Sequence, residues 1–258
     1  MPKVAIVAAL EREVSGLTRN WSHVEREHEG RRFVFFEHDE MVVVCGGIGL
    51  EAARRAAEAV IALYRPSLVQ SVGFAGALDA NLRIGDVFAP STVIDARDGS
   101  RVHIEGGKST TLVSFMEVAG MDQKANLAQA YGAQAVDMEA SAVAAAACAH
   151  GIKFDTIKVI SDDLNFEMPE MARFIDPQGR FRTGGFALFA ALRPWLWLRV
   201  AALARNSRKA AIALGEHLER LRQERSQSAS GKVTSLPAAA QVEAQTAATT
   251  GFRARGHE

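Results

Sequence analysis

The chain has 258 residues, 48% hydrophobic and 23% charged, enough apolar material for one large α/β domain or two small ones. Its 30 Lys and Arg balance its 30 Asp and Glu, so net charge gives no general attraction to nucleic acid or to an anionic membrane. Cys45 and Cys148 lie in apolar stretches and read as small core residues of a reducing compartment, not as a disulfide framework or a metal site.

The first residues, "MPKVAIVAALEREV", have too short an apolar core for a signal peptide and carry charges where a cleavage site would fall. They predict a buried strand over 4–9 and a short helix over 10–19. "RRFVFFEHDEMVVVCGG" predicts a hairpin with strands at 34–37 and 41–45. In 49–66, Ala52, Ala56, Val60 and Tyr64 recur at helical spacing, and Pro66 stops the helix. A buried strand, 67–73, then runs into a glycine turn at Gly73-Phe74-Ala75-Gly76. Further strands are expected at 84–96 and 110–118, a helix at 122–131, and a short strand at 135–136 leading directly into a helix that ends near 150. The last strand is 154–163. This alternation predicts an α/β fold with a mainly parallel or mixed sheet and helices on its faces. Residues 186–225 form a helical extension broken at Pro194. The domain is expected to span 1–225, with a disordered tail over 226–258, where large apolar residues are scarce. No run of 18 apolar residues occurs, since Arg193, Pro194 and Arg199 interrupt 184–204. The expected location is the cytoplasm.

Gly47-x-Gly49-x-x-Ala52 follows a strand and opens a helix, as a dinucleotide fingerprint does. The next strand lacks the acid that would hold a ribose hydroxyl. The glycines read instead as a tight turn. No cofactor is expected, and no metal either: the acidic "SDDLNFEMPE" has no His or Cys beside it.

Three acids follow strands: Glu13, Glu139 and Asp162. If the strands are parallel neighbours, their carboxyl ends meet on one edge of the sheet, where open α/β sheets bind ligands. Each acid has a plainer reading. Glu13 alone reads best as a solvated helix acid, and Asp162 as a turn or N-cap aspartate. At the head of the Ala-rich helix, capping suffices for Asp137 and fits Glu139 less well, because a carboxylate beside a Met there also suits a cleft at a strand end. On that stretch alone capping is slightly favoured. The coincidence of all three acids at strand ends favours an active site.

The pieces "VAIVAALEREV", "GGIGLEAA", "VGFAGALDANLRIGDV" and "AVDMEASAVA…IKVISDD" resemble, in that order, the purine nucleoside phosphorylase/uridine phosphorylase superfamily. Within it the chain is most similar to the methylthioadenosine/S-adenosylhomocysteine nucleosidases. "RFIDPQGRF" and the helices after it also resemble the hopanoid-associated phosphorylases, which cut adenine from a lipid-linked nucleoside. The resemblance implies a three-layer αβα sandwich with a central mixed sheet, and cleavage of a ribose N-glycosidic bond. It implies that Asp162 protonates or hydrogen-bonds the purine N7, oriented by Ser161. Glu139 binds ribose hydroxyls, Met138 packs on the ribose, and Glu13 positions water. Phe74, Ala75 and Gly76 border the water or phosphate subsite, and Phe115, Met116 and Glu117 the base. It also implies a small nucleoside substrate and a homo-oligomer.

Three departures matter, the first being that Phe74 replaces a small polar residue in the glycine turn, at the water or phosphate subsite. Lys158 stands where the nucleosidases have arginine, and the stretch between Asp86 and Asp137 is shorter than theirs. Water is favoured over phosphate as the nucleophile, because a carboxylate at Glu13 repels a dianion and a phosphorylase wants an arginine fork. Arg12 and the Arg54–Arg55 pair read as solvated helix faces. A non-catalytic nucleoside-binding module is the rival from another class. For 186–221 the expected role is a helix pair packed on the sheet or in a subunit interface. Peripheral contact with a membrane is the alternative, since Trp195, Trp197 and several arginines suit a bilayer surface.

Overall fold

In a computed structural model, residues 3–106, 108–167, 171–176 and 178–234 are described. The chain divides into a larger unit ending at His217 and a smaller one that starts at Leu218.

The larger unit is built on one mixed sheet. Its strands are β1 (Val4–Ala8), β2 (Ser22–His28), β3 (Arg31–His38), β4 (Met41–Cys45), β5 (Leu68–Ala77), β6 (Val87–Phe88), β7 (Pro90–Asp95), β8 (Arg101–His103), β9 (Lys108–Ser114), β10 (Ala135–Asp137) and β11 (Lys153–Asp162). The helices are α1 (Glu11–Thr18), α2 (Leu50–Tyr64), α3 (Met121–Tyr131), α4 (Ala140–Ala149), α5 (Thr183–Ala191) and α6 (Trp197–Thr234). The path runs β2-β3-β4-β1-β5-β10-β9-β7-β8, with β11 paired to β5 and β6.

Most expected elements are present; β8 was not expected, the strand expected over 84–96 is divided into β6 and β7, and three further differences matter. The glycine turn at 73–76 is strand: β5 continues to Ala77, paired along its length with β11. The polar segment 22–28 forms β2, because a hairpin with β3 satisfies its backbone without burying its side chains. Finally, α6 continues through Thr234, so the tail expected from Ser226 begins as helix. Extending a formed helix adds one hydrogen bond per residue without a new nucleus. Residues 235–258, the rest of that tail, lie outside the described residues.

Ala5 and Val7 of β1 join the cluster that includes Ala53, Ala56, Val60, Val143 and Ala147 of α2 and α4. Ile6, between them, points to the other face. The alanines let the helices sit close: a methyl on Gly46 would come within 2.7 Å of the Ala56 methyl. Fully burying Val60 alone contributes about 1.5–3 kcal/mol. α1 packs on β1 and β5 and meets α6, where the backbones of Gly16 and Gly215 touch.

The site is set by how the neighbours of β5 are arranged. β11 lies parallel along one edge of β5 from Leu68 to Gly76. The other edge is shared: β1 is parallel to Leu68–Ser71, and β10 is antiparallel to Gly76 and Ala77. Between them, among the described residues, 72–75 have no partner strand on that edge. The condition that the three strands be parallel neighbours is therefore not met: β1 and β11 are parallel to β5 and β10 is antiparallel to it. The carboxyl ends of β1 and β10 instead point at one another across this gap.

Candidate active site

Glu13 is 4% exposed, not solvated. Its Oε2 accepts hydrogen bonds from the amides of Ala9 (3.1 Å) and Leu10 (3.2 Å). The carboxyl lies on the α-carbon of Gly73, where a methyl group would sit 3.0 Å from Oε2. Burial pushes the Glu13 carboxyl above the usual range, although the Leu10 amide and the charges of Lys158 and Arg12 oppose it.

Asp137 and Glu139 divide their labour. Asp137 is buried. Its Oδ2 accepts from the Ala140 amide (2.8 Å) and pairs with Lys158 Nζ (2.8 Å), while Oδ1 accepts from Ser114 Oγ (2.6 Å). It is thus a helix cap locked into an ion pair. Glu139 turns away from the helix it precedes, and its Oε1 accepts from the Gly49 amide at 2.9 Å. The amide belongs to the start of α2, where the helix dipole favours negative charge. Burial pushes the Glu139 carboxyl up to about 7; Lys158 opposes this and Asp137 adds to it. Lys158 itself is 1% exposed. Burial pulls its pKa down, but Asp137, Glu139 and Glu13 together hold it above the ordinary lysine value.

These contacts account for the glycine turn. The Gly49 amide holds Glu139, and the Ile48 amide donates to the Gly179 carbonyl at 2.7 Å. Both donors that a pyrophosphate would approach are bonded within the protein.

Asp162 ends β11 and is 4% exposed. Its Oδ1 accepts from Ser161 Oγ at 2.8 Å. Its Oδ2 accepts from Lys124 Nζ at 2.5 Å, and the same ammonium donates to the Asp163 carbonyl at 2.6 Å. Lys124 comes from α3 and is 1% exposed. The Asp163 carboxylate is turned towards the Asn165 amide at 3.1 Å. The charged side chain beside Asp162 is therefore a lysine, not a second acid. Gly76 makes room for the pair: a methyl there would lie 2.8 Å from Asp162 Oδ2 and 3.3 Å from Lys124 Cε.

Glu13, Glu139 and Asp162 border one cavity of about 150 Å³, which opens at the gap beside β5. Phe74, Ala75, Gly76, Met138, Ser161 and Glu117 line it too, as expected. Phe115 and Met116 do not. Phe115 packs into the cluster of Val113, Leu127 and Val136, and Met116 is 58% exposed. The wall there is made by Val118 and Ala119. The sequence reading also missed Lys124, Leu10 and Ile48, and the cover supplied by Met171, Ile175, Leu203 and Ser207. Lys124 had a signal, since it lies one turn before the buried Leu127 on α3. Arg12 borders the cavity, whereas Arg54 and Arg55 both bond Glu51 on the exposed face of α2.

A mixed sheet, helices on both faces and buried acids around a cleft at strand ends define the class, and comparison with known proteins agrees. The model of the phosphorylase superfamily matches residues 3–111 and 97–185. The chain belongs to that superfamily. The 5′-methylthioadenosine/S-adenosylhomocysteine nucleosidase of Colwellia psychrerythraea is 34% identical over 94 residues. That match covers 35% of this chain and spans about two-fifths (39%) of the relative's length. The structure of a Helicobacter pylori nucleosidase variant with 5′-methylthioadenosine in its active site superposes with a TM-score of 0.65 at 16% identity, covering 87% of this chain and 99% of that one. Futalosine hydrolase of Helicobacter pylori gives 0.65 at 17% identity, covering 86% and 98%. These two likenesses establish the fold.

Proposed function

We propose that the protein cleaves the N-glycosidic bond of an adenine nucleoside or a 5′-substituted adenosine, with water as the nucleophile. The observation that carries this is the convergence of Glu13, Glu139 and Asp162 on one cavity, with Ser161 and Met138 between them. The base leaves as a poor anion unless a proton reaches it, and Asp162 is the group placed to pass one. The sugar gains oxocarbenium character as the bond breaks, and Glu139 supplies the opposing charge. Glu13, held by two amides, orients water and takes its proton. Burial raises the Glu13 carboxyl above the usual range, which makes it a stronger base than an ordinary carboxylate. The names of the relative and of the solved structures refer to 5′-methylthioadenosine, S-adenosylhomocysteine and futalosine, which supports a nucleoside with a substituent at C5′.

Arg12 is the observation that keeps phosphate in play, because it borders the cavity while Arg54 and Arg55 do not. The test is a nucleoside panel with and without phosphate, analysed for free base, ribose and ribose-1-phosphate. Ribose formed without phosphate is the expected result. Ribose-1-phosphate makes the enzyme a phosphorylase, and tight binding without turnover makes it a nucleoside-binding module. We propose further that it needs no cofactor, works in the cytoplasm and forms a homo-oligomer; light scattering tests the last of these.

Among the described residues, no single helix is long and apolar enough to cross a membrane, but α5 and the first part of α6 pass that test together as a pair bent by 113°. Leu188, Leu192, Trp195, Trp197 and Leu198 of this pair and its connection are exposed. An anionic bilayer is the proposed occupant, since Arg193 lies in the connection and Arg205, Arg208 and Lys209 on α6. This fits a lipid-linked adenosine as substrate. Co-sedimentation with anionic vesicles at low salt, lost in a Trp195→Ala, Trp197→Ala variant, is expected. Protein that stays in the supernatant, or that self-associates through these residues instead, overturns it.

A further inference from the structure

A carboxyl group that is to hand a proton to a leaving base must first hold one. In this site the atom that would carry it, Asp162 Oδ2, accepts from Lys124 Nζ at 2.5 Å. The ammonium is 1% exposed, and two of its three N–H bonds are directed at Asp162 Oδ2 and the Asp163 carbonyl. Ser161 Oγ occupies the other carboxylate oxygen. Lys124 also borders the cavity, so it is a buried group beside the reacting centre and not a distant brace. A lysine buried so completely is costly to keep unless something uses or compensates it. The reading of Asp162 as a lone acid gives it no use.

We propose that Lys124 is the store from which the leaving base draws its proton, passed through Asp162. This rests on the N-glycosidic reading above. As the bond from C1′ to the base nitrogen breaks, its electron pair moves onto the base. A base ring nitrogen takes a proton from Asp162, and Asp162 takes one from Lys124, leaving a neutral amine. Water adds to C1′ and gives a proton to Glu13. The resting state returns when Glu13 gives up that proton and Lys124 regains one, so the protons balance and no further reactant is needed. The charges that face this exchange are Glu117 from the loop before α3, Arg12 and Glu13 from α1, and Asp137 and Glu139 from the segment between β10 and α4. Lys158 stands behind Asp137.

The test separates a proton store from a mere charge partner. Lys124→Met removes both properties. Lys124→Arg keeps the charge but not the proton, because a guanidinium does not release one near neutral pH. Both variants are compared with wild type on an adenine nucleoside and on nitrophenyl riboside, whose leaving group needs no proton, with melting curves as a check on folding. The expected result is a loss of about 10²-fold or more on the adenine nucleoside in both variants. On nitrophenyl riboside the loss should stay under about 10-fold, since only the proton-dependent part of the barrier is affected. Equal losses on the two substrates, or near-complete rescue by Lys124→Arg, overturn the proposal and leave Lys124 a structural partner of Asp162. If both variants fail to fold, Lys124→Gln is measured by the same ratio of the two substrates. Wild-type protein inert on both substrates refutes the N-glycosidic reading itself, an outcome distinct from either of these.

Discussion

Two lysines are buried to the same degree in this molecule, and they sit in different circumstances. Lys158 pairs with Asp137, and that aspartate also caps α4 and accepts from Ser114. Lys158 itself reaches Ser71 Oγ at 3.1 Å. These contacts join β5, β9, β10 and β11 to the start of α4; Asp137 borders the cavity, whereas Lys158 does not. Lys124 pairs with Asp162, and both border the cavity. In the first, closed pair only the carboxylate reaches the cavity; in the second, open pair the ammonium does too. What a buried ion pair does is therefore decided by what else its carboxylate touches.

The largest effect should come from breaking the closed pair. Asp137→Asn leaves Lys158 without its nearest counter-charge and weakens the cap of α4. A loss of about 3–5 kcal/mol in chemical denaturation is expected, the scale for removing one partner of a buried pair. A loss under about 1 kcal/mol, the value for a cap alone, would show that Glu139 takes over the pairing.

Asp162→Asn should reverse the pattern. It breaks the open pair, and turnover of an adenine nucleoside should fall by roughly 10²-fold or more. A folded Asp162→Asn protein with near-normal kcat would remove Asp162 from the mechanism.

Glu139 faces both regions, since it lies near Lys158 and borders the cavity. Its carboxyl is pushed up from 4.5 to about 7, first by burial. Between these values the folded protein binds more protons than the unfolded chain, so stability falls as pH rises from about 4.5 to about 7. Glu139→Gln should lose roughly 10-fold or more in kcat, the scale of a lost charge at the transition state. It should also flatten that pH dependence, read as melting temperature against pH. A variant whose melting curve keeps the wild-type slope would mean that another buried acid, Glu13 first, carries it.

The smallest effect is expected at Ser71→Ala, which removes one hydrogen bond to Lys158 and costs about 1 kcal/mol. Activity should stay within about twofold, well under 1 kcal/mol at the barrier. A larger kinetic effect would join the closed pair to the chemistry.

Much of this was legible in the sequence. The alternation of apolar strands with Ala-rich helices marked the sheet, and the three acids after "AIVAAL", "QAV" and "KVI" do meet at one cavity. Each acid alone had a plainer reading; their position could be read because all three fall within three residues of the end of these apolar runs. Strand direction could not be read. A two-residue pairing of β10 with β5 leaves no pattern in the sequence, yet it decides how the ends face. The region 115–119 failed for a related reason. Phe115, Met116 and Val118 are all apolar, and only the turn after β9 decides which of them meets the core, the solvent or the cavity. Lys124 was missed because a single lysine in a helix of otherwise weak amphipathic character looks like a surface charge.

The gap beside β5 has a consequence for how this protein tolerates change. Along residues 72–75 one edge of a central strand has, among the described residues, no neighbouring strand. Whatever enters there takes the place of a missing piece of sheet and meets main-chain donors and acceptors, which exist whatever the side chain is. Substitutions at Phe74 or Ala75 can narrow or widen the slot, but they cannot erase those groups. Specificity written in side chains is free to drift around a contact written in backbone, and one scaffold can thereby serve many ligands of similar shape.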